Sequence, residues 1–275
     1  MKHLFNRILQ VIFISGIFSF AVAENALAEK PLALVYDGPG SCPISEGDCT
    51  GAAQKAVEAA GFRVNRVGPQ ALTSSSTEAD YQKLFNSASV WVQPGGHSSV
   101  FLSTVTPELV AGIQRFVKSG KAYVGFCAGA FSATEFDGNL TIKGLDLIPG
   151  KTYPYPNDTI DEFFDGIVSH YNPDALYNQI LEVTWNGKKR ELYFEEGAYL
   201  DFSGVPPGQV EVTATLRTGQ AISARASYGA GRVYITGSHP EAPSSWKSGL
   251  VDSDGSDFDL VKEMLEWVTH HEGRI

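Results

Sequence analysis

Basic residues are few in this chain and nowhere gathered. Lysine and arginine number 21 against 31 acidic residues among 275, for a formal net charge of -10. The densest basic run is "GKKR" at Gly187–Arg190. A nucleic-acid surface needs a stripe or patch of positive charge that displaces counterions from phosphates, so no nucleic-acid partner is expected. The acidic balance bears on solubility rather than on a partner. Internal repeats and low-complexity tracts are also missing, and charged residues make up 19% against 43% hydrophobic. That is an ordinary globular composition, long enough for one large domain or two small ones and for a substantial core.

Long apolar runs are lacking too, with one exception at the start. Lys2 and Arg7 form a basic opening, an apolar run follows from Ile8 to Val22, and Ala-x-Ala sites end at Ala23 and Ala28. The run is shorter than the roughly 20 residues of a spanning helix, and the order is that of a secretory signal peptide. The expectation is a signal over residues 1–28, cleaved after 23 or 28. A single exported domain over 29–275, periplasmic or secreted, would then remain, with no stable membrane insertion.

Cysteine is rarer still, at three residues. Cys42 and Cys49 bracket "CPISEGDC". In an oxidising compartment such a pair forms a disulfide, the alternatives being free thiols or a metal pair. No companion Cys/His pair stands at zinc spacing, so no metal is expected. Cys127 is left over, and an unpaired thiol in an exported protein calls for an explanation.

From Pro31 the chain alternates short apolar runs with amphipathic ones. "PLALVY", "FRVNRV", "SVWVQPGG" and "KAYVGF" read as strands. "AAQKAVEAAG", "TEADYQKLFNSA" and "TPELVAGIQRFVKSG" read as helices, with Thr77 an N-cap and Pro107 in a first turn. Such alternation predicts a parallel sheet covered on both faces. Right-handed crossovers place Asp37–Thr50, Pro94–Ser99 and Cys127 on its carboxyl edge, where ligands bind. Residues from about 140 to 215 carry antiparallel additions. "AISARASYGAGRVYITGSHPE" reads as a hairpin leading into a strand, and "DFDLVKEMLEWVTHH" as a closing helix.

Cys127 stands in "GFCAG", a G-x-nucleophile-x-G turn between a strand and a helix. Such a turn lifts the nucleophile above the sheet edge, and the helix N-terminus favours the reactive thiolate. The Ala128 N–H, with that of Gly96 from the "PGG" loop, would form an oxyanion hole. "ITGSHPE" supplies a base, His239, and an orienting carboxylate, Glu241, whose i, i+2 spacing on an extended segment turns both the same way. Either feature alone is equally a packing motif; together they point to chemistry. His97, in the "PGGHSS" loop, is a candidate substrate contact.

"GFCAGAF" with "GSHPE" resembles the class I glutamine amidotransferase-like superfamily, whose Cys-His-Glu triad matches Cys127, His239 and Glu241. "VYDGPG", "VQPGG", "GKAYVGFCAGAF", "YFEEGAYL" and "YGAGRVYITGSHPE" are similar to blocks of the N-terminal domain of biotin–protein ligases, over most of Lys30 to Glu272. The resemblance implies a flavodoxin-like three-layer α/β sandwich, with a mostly parallel central sheet and antiparallel additions, and an elbow cysteine. It supplies no settled substrate. The "YFEEGAYL" block brings in Tyr199 as a further candidate substrate contact. No synthetase domain follows to use ammonia, and no biotin ligase catalytic domain is present, so neither synthetase coupling nor biotin transfer is expected.

Lesser motifs complete the reading. "DSDGSDFD" at Asp252–Asp259 looks like a calcium loop but lacks its spacing and closing Glu, and is read as capping the last helix. Asn139 and Asn157 head glycosylation acceptors. His3, His170, His270 and His271 carry no supporting pattern, and Tyr153–Asp158 reads as a surface loop. The expectation is a cofactor-free cysteine hydrolase of a small-molecule or peptide amide. Two alternatives remain: a binding module with an inert triad, and a redox sensor using Cys127 alone.

Overall fold

The computed structural model describes residues 29–135, 142–154 and 178–270. The expected signal segment, Asn139, Asn157, His170, His271 and the end of the Tyr153–Asp158 stretch lie outside them. Among the described residues, no helix is long and apolar enough to cross a membrane.

The first half builds the predicted alternation. In order come β1 (Leu32–Tyr36), α1 (Cys49–Ala59), β2 (Arg63–Val67), α2 (Glu78–Phe85), β3 (Ala88–Gln93), α3 (Ser98–Thr104), α4 (Pro107–Lys118), β4 (Ala122–Phe126) and α5 (Ala128–Ala133). The second half holds β5 (Lys151–Pro154), β6 (Asn178–Trp185), β7 (Lys188–Glu195), β8 (Ala198–Asp201), β9 (Val210–Leu216), β10 (Ala221–Tyr228), β11 (Gly231–Thr236) and α6 (Phe258–Thr269).

Local chemistry accounts for the helices. Thr77 accepts from Asp80 N–H while the Asp80 carboxylate takes Thr77 N–H, a capping box. Thr106 caps α4 with Pro107 in its first turn, and α4 buries Leu109, Gly112, Ile113, Phe116 and Val117, the i, i+3, i+4, i+7, i+8 stripe. Two elements depart from the sequence reading. Helix α1 starts at Cys49, earlier than its apolar pattern, because Asp48 caps it by accepting from Gly51 N–H. Helix α3 falls in part of what reads as loop. Its "SSVFLST" has poor intrinsic propensity, and burial of Phe101 and Leu102 holds it instead.

Among the described residues, one mixed sheet of eleven strands takes in every strand, in the order β2-β1-β3-β4-β11-β10-β9-β6-β7, with β8 on β10 and β5 on β8. β2, β1, β3, β4 and β11 run parallel to their neighbours in that set. β11 meets β10 antiparallel, and the pairings beyond it are antiparallel. The sheet is therefore mixed: a parallel set of five strands carries the expected antiparallel additions, because β5 to β10 pair antiparallel.

Side chains alternate between two cores. Ala33, Val35, Val90, Val92, Val124, Phe126 and Tyr234 join one cluster with α1 and α6 residues. Leu34, Tyr36, Trp91, Tyr123, Val233 and Ile235 join the other, with residues from α2, α3, α4 and α5. The period of two along each strand is what burial on both faces requires.

Candidate active site

Strand β4 delivers Cys127 into a turn that an L-residue seldom adopts, with φ +46° and ψ -104°. Its N–H donates to Thr236 O at the end of β11, 2.8 Å away, which pins the elbow to the neighbouring strand. The flanking glycines are needed for close approach. A Cβ on Gly125 would stand 2.5 Å from Gly129 O, and one on Gly129 would stand 2.4 Å from Gln93 O. Cys127 is a buried free thiol. Its S–H points toward Glu195 O, at 3.7 Å. Ala128 opens α5, whose six residues are too few for a long helix dipole, so the charge facing the sulfur is that of first-turn N–H groups.

Past β11, the chain turns through Gly237 and Ser238 to His239. The His239 N–H donates to Tyr193 O at 2.9 Å, and Nδ1 meets Glu241 Oε1 at 2.8 Å. The imidazole is 3% exposed and the carboxylate 0%. Burial is the strongest influence on His239 and would lower its pKa. The charges of Cys127 and Glu241 outweigh it and hold the imidazole well above its ordinary value. The ring thus lies near enough to interact with the sulfur, which also stands within 3.7 Å of Glu195 O.

Cys127 and His239 open into one cleft of about 600 Å³. Its lining includes Cys42, Cys49, Gly96 and His97, and also Tyr193, Glu195, Glu196 and Trp246. Cys42 and Cys49 are disulfide-bonded, with Cα atoms 5.2 Å apart. His97 caps α3 by position and is exposed, its Nε2 3.6 Å from Glu46 Oε2. Glu241 lies behind His239, outside the cleft wall. Ala128 is buried and is not a lining residue. Tyr199 is also not brought to the cleft; it stacks on Tyr153 across the β5–β8 pair, with ring centroids 5.2 Å apart.

Among the wall residues not singled out in the sequence are Tyr193, Glu195, Glu196 and Trp246. The first three fall in the "YFEEGAYL" block. Glu196 carries the further mark of φ +44°, which no sequence pattern reveals. The acidic stretch at Asp252–Asp259 is used differently from a cap. Asp257 occupies the N-cap of α6 but makes no side-chain cap bond. Instead Lys247 binds Asp252, Gly255 O and Asp257, while Arg190 binds Asp254, Asp257 and Asp259. Among the described residues, no group of three or more His, Cys, Asp or Glu side chains could hold a metal ion.

By fold and site, then, this is an α/β protein with a cysteine elbow at the carboxyl edge of its parallel strands. Its residues 32–146 match the biotin-protein ligase N-terminal family model, so the resemblance read from the sequence holds over that segment. The segment contains the disulfide loop and Cys127 and ends before His239. No curated protein matches the sequence significantly. A cytoplasmic protein from Salmonella typhimurium is similar in structure, at 11% identity and a TM-score of 0.51, over 88% of this chain and 100% of that one. A catalytic mutant of a GH42 beta-galactosidase from G. stearothermophilus is similar at 13% identity and a TM-score of 0.50, over 86% of this chain but 30% of that one. At such identities the likeness is one of fold.

Proposed function

We propose that the protein is an exported, single-domain cysteine hydrolase of an amide or related acyl bond, on a flavodoxin-like three-layer scaffold. The observation that carries the reading is that His239, backed by the buried Glu241, shares a cleft with a thiol held in a strained turn. Glu241 on Nδ1 leaves Nε2 for the substrate side.

In this scheme Cys127 Sγ bonds to the carbonyl carbon as its proton passes to His239. The Gly96 and Ala128 N–H groups receive the oxyanion. The intermediate collapses, the C–N bond breaks, and His239 returns the proton to the leaving amine. Water, giving a proton to His239, then attacks the thioester and releases the acid and the thiol. The steps call on no metal or organic cofactor. Glu46, Glu195 and Glu196 line the cleft, and among the described residues no lysine or arginine does. The best substrate is accordingly an amide beside a cationic group, free or in a peptide, rather than one beside a carboxylate.

The burial of the Cys127 thiol favours a second reading, a binding module whose triad is inert. Alkylation of Cys127 against pH, read by intact mass beside His239→Ala, separates the two. Labelling well below the ordinary thiol pKa of about 8.5 that changes in the variant supports the hydrolase. Slow labelling indifferent to His239 supports the binding module.

A further inference from the structure

Trp246 belongs to none of the reaction steps, yet it contacts the disulfide loop, His239 and Tyr193. Its Nε1–H donates to Gly47 O, 2.8 Å away, inside the disulfide-closed loop. Its ring stands edge-on to His239, with centroids 5.4 Å apart at 83°, and tilted against Tyr193 at 5.7 Å. Tyr193 in turn takes the His239 N–H on its backbone oxygen. The loop closes on Trp246 through a glycine with φ +115°, where an added Cβ would stand 2.6 Å from the indole nitrogen. The disulfide also flanks the imidazole. The point where Gly95 would carry a Cβ is 2.6 Å from His239 Cε1 and 3.4 Å from Cys49 Sγ. Next to Trp246, Lys247 is fixed in its cage of Asp252, Gly255 O and Asp257, so the indole projects from an anchored backbone. The loop, the indole and the imidazole thus form one continuous contact path.

We propose that Trp246 is a positioning residue that ties the Cys42–Cys49 loop to His239, so that the reactivity of Cys127 depends on that disulfide being closed. The inference rests on the cysteine-hydrolase reading. A chain reduced at Cys42 and Cys49 would keep its thiol but lose the orientation of the base that serves it. Closure of the disulfide would then complete the site.

The test is the iodoacetamide rate at Cys127 across a pH series, by intact mass without reductant. Trp246→Phe keeps a ring against His239 and Tyr193 but removes the donor to Gly47. Gly47→Ala pushes on the indole from the loop side. Cys42→Ser with Cys49→Ser opens the loop and leaves Cys127 as the sole cysteine. Each is expected to slow labelling about fivefold near neutral pH and to displace the profile, as contacting residues in one network do. Combining Trp246→Phe with the open loop is expected to slow it no further. Thermal melts of each variant verify a folded chain, and the conservative Trp246→Tyr, whose hydroxyl can donate, is expected to recover part of the rate. Profiles like wild type in Trp246→Phe, Gly47→Ala and the open loop, with His239→Ala still altering the profile, would overturn the positioning role alone. So would effects that multiply in the combined variant. A His239→Ala profile like wild type would overturn the hydrolase reading itself.

Discussion

Glu241 is wholly buried and gives one oxygen to His239, while its Oε2 has no hydrogen-bond partner among the described residues. The residue therefore acts through a single contact, and that contact is its value to the site. Glu241→Ala removes one partner of a buried pair, with an expected loss of about 3–5 kcal/mol in stability by urea unfolding. Glu241→Gln retains an oxygen for Nδ1–H but no charge, so it loses less. It also withdraws one of the two charges that raise His239, and the ring pKa, followed by NMR, is expected to fall. The sign for stability follows. A raised histidine contributes stability that is complete below its unfolded pKa of about 6.5 and lost as pH rises through the folded value. The Gln variant should narrow that window from the alkaline side. Cys127, His239 and Glu241 could be picked out of the sequence as candidates because each occupies a short motif at a strand end. Glu195, Glu196 and Trp246 could not, because only tertiary packing brings them to the thiol.

At the scale of elements, the short disulfide loop and the caged lysine matter most. The cysteines are seven residues apart. Opening so small a loop by Cys42→Ser with Cys49→Ser is expected to destabilise the chain by about 2–3 kcal/mol, measurable by denaturant titration. The ion cage yields a pH prediction. Burial pushes Asp257 up to about 6, against the pull of Lys247 and Arg190. Its unfolded value is about 3.9. Between the two the folded chain binds the extra proton, so this contribution is complete below about pH 4 and lost as pH rises through about 6. Relative to Asp257→Asn, the wild type should therefore lose stability between pH 4 and 7 in parallel melts. The cage was hidden in the sequence because "DSDGSDFD" sits far from Arg190 along the chain; its acids read as a cap or a calcium loop until their cations are found. Helix α4, by contrast, was legible throughout, since its cap, proline and apolar stripe all agree. Helix α3 was not, because burial alone holds it.

At the scale of the molecule, the sheet explains why the candidate site cannot be confined to the family-matched segment. The parallel half was visible as alternating strand and helix patterns and the β10–β11 hairpin as a Gly-rich turn between two apolar runs, whereas the other antiparallel pairings join short runs whose partners no local signal names. β11 joins the two, pairing parallel with β4 from Arg232↔Ala122 to Thr236↔Phe126 and antiparallel with β10. Residues 32–146 carry the thiol, but β4 would become an open edge without β11. Ala33, Val35, Val90, Val92, Val124 and Phe126 would also lose Leu260, Val261, Met264 and Leu265 of α6 from their core. Exposing these apolar side chains and a full row of ladder groups is more than a marginal stability of about 5–15 kcal/mol withstands. A fragment of residues 29–146 is thus expected to show no cooperative thermal transition by circular dichroism and to bind a hydrophobic dye, while a chain of 29–275 melts in one transition. A cooperative melt of the fragment would instead mark residues 29–146 as a self-standing unit, with the strand that leads to His239 and Glu241 added to a sheet already complete.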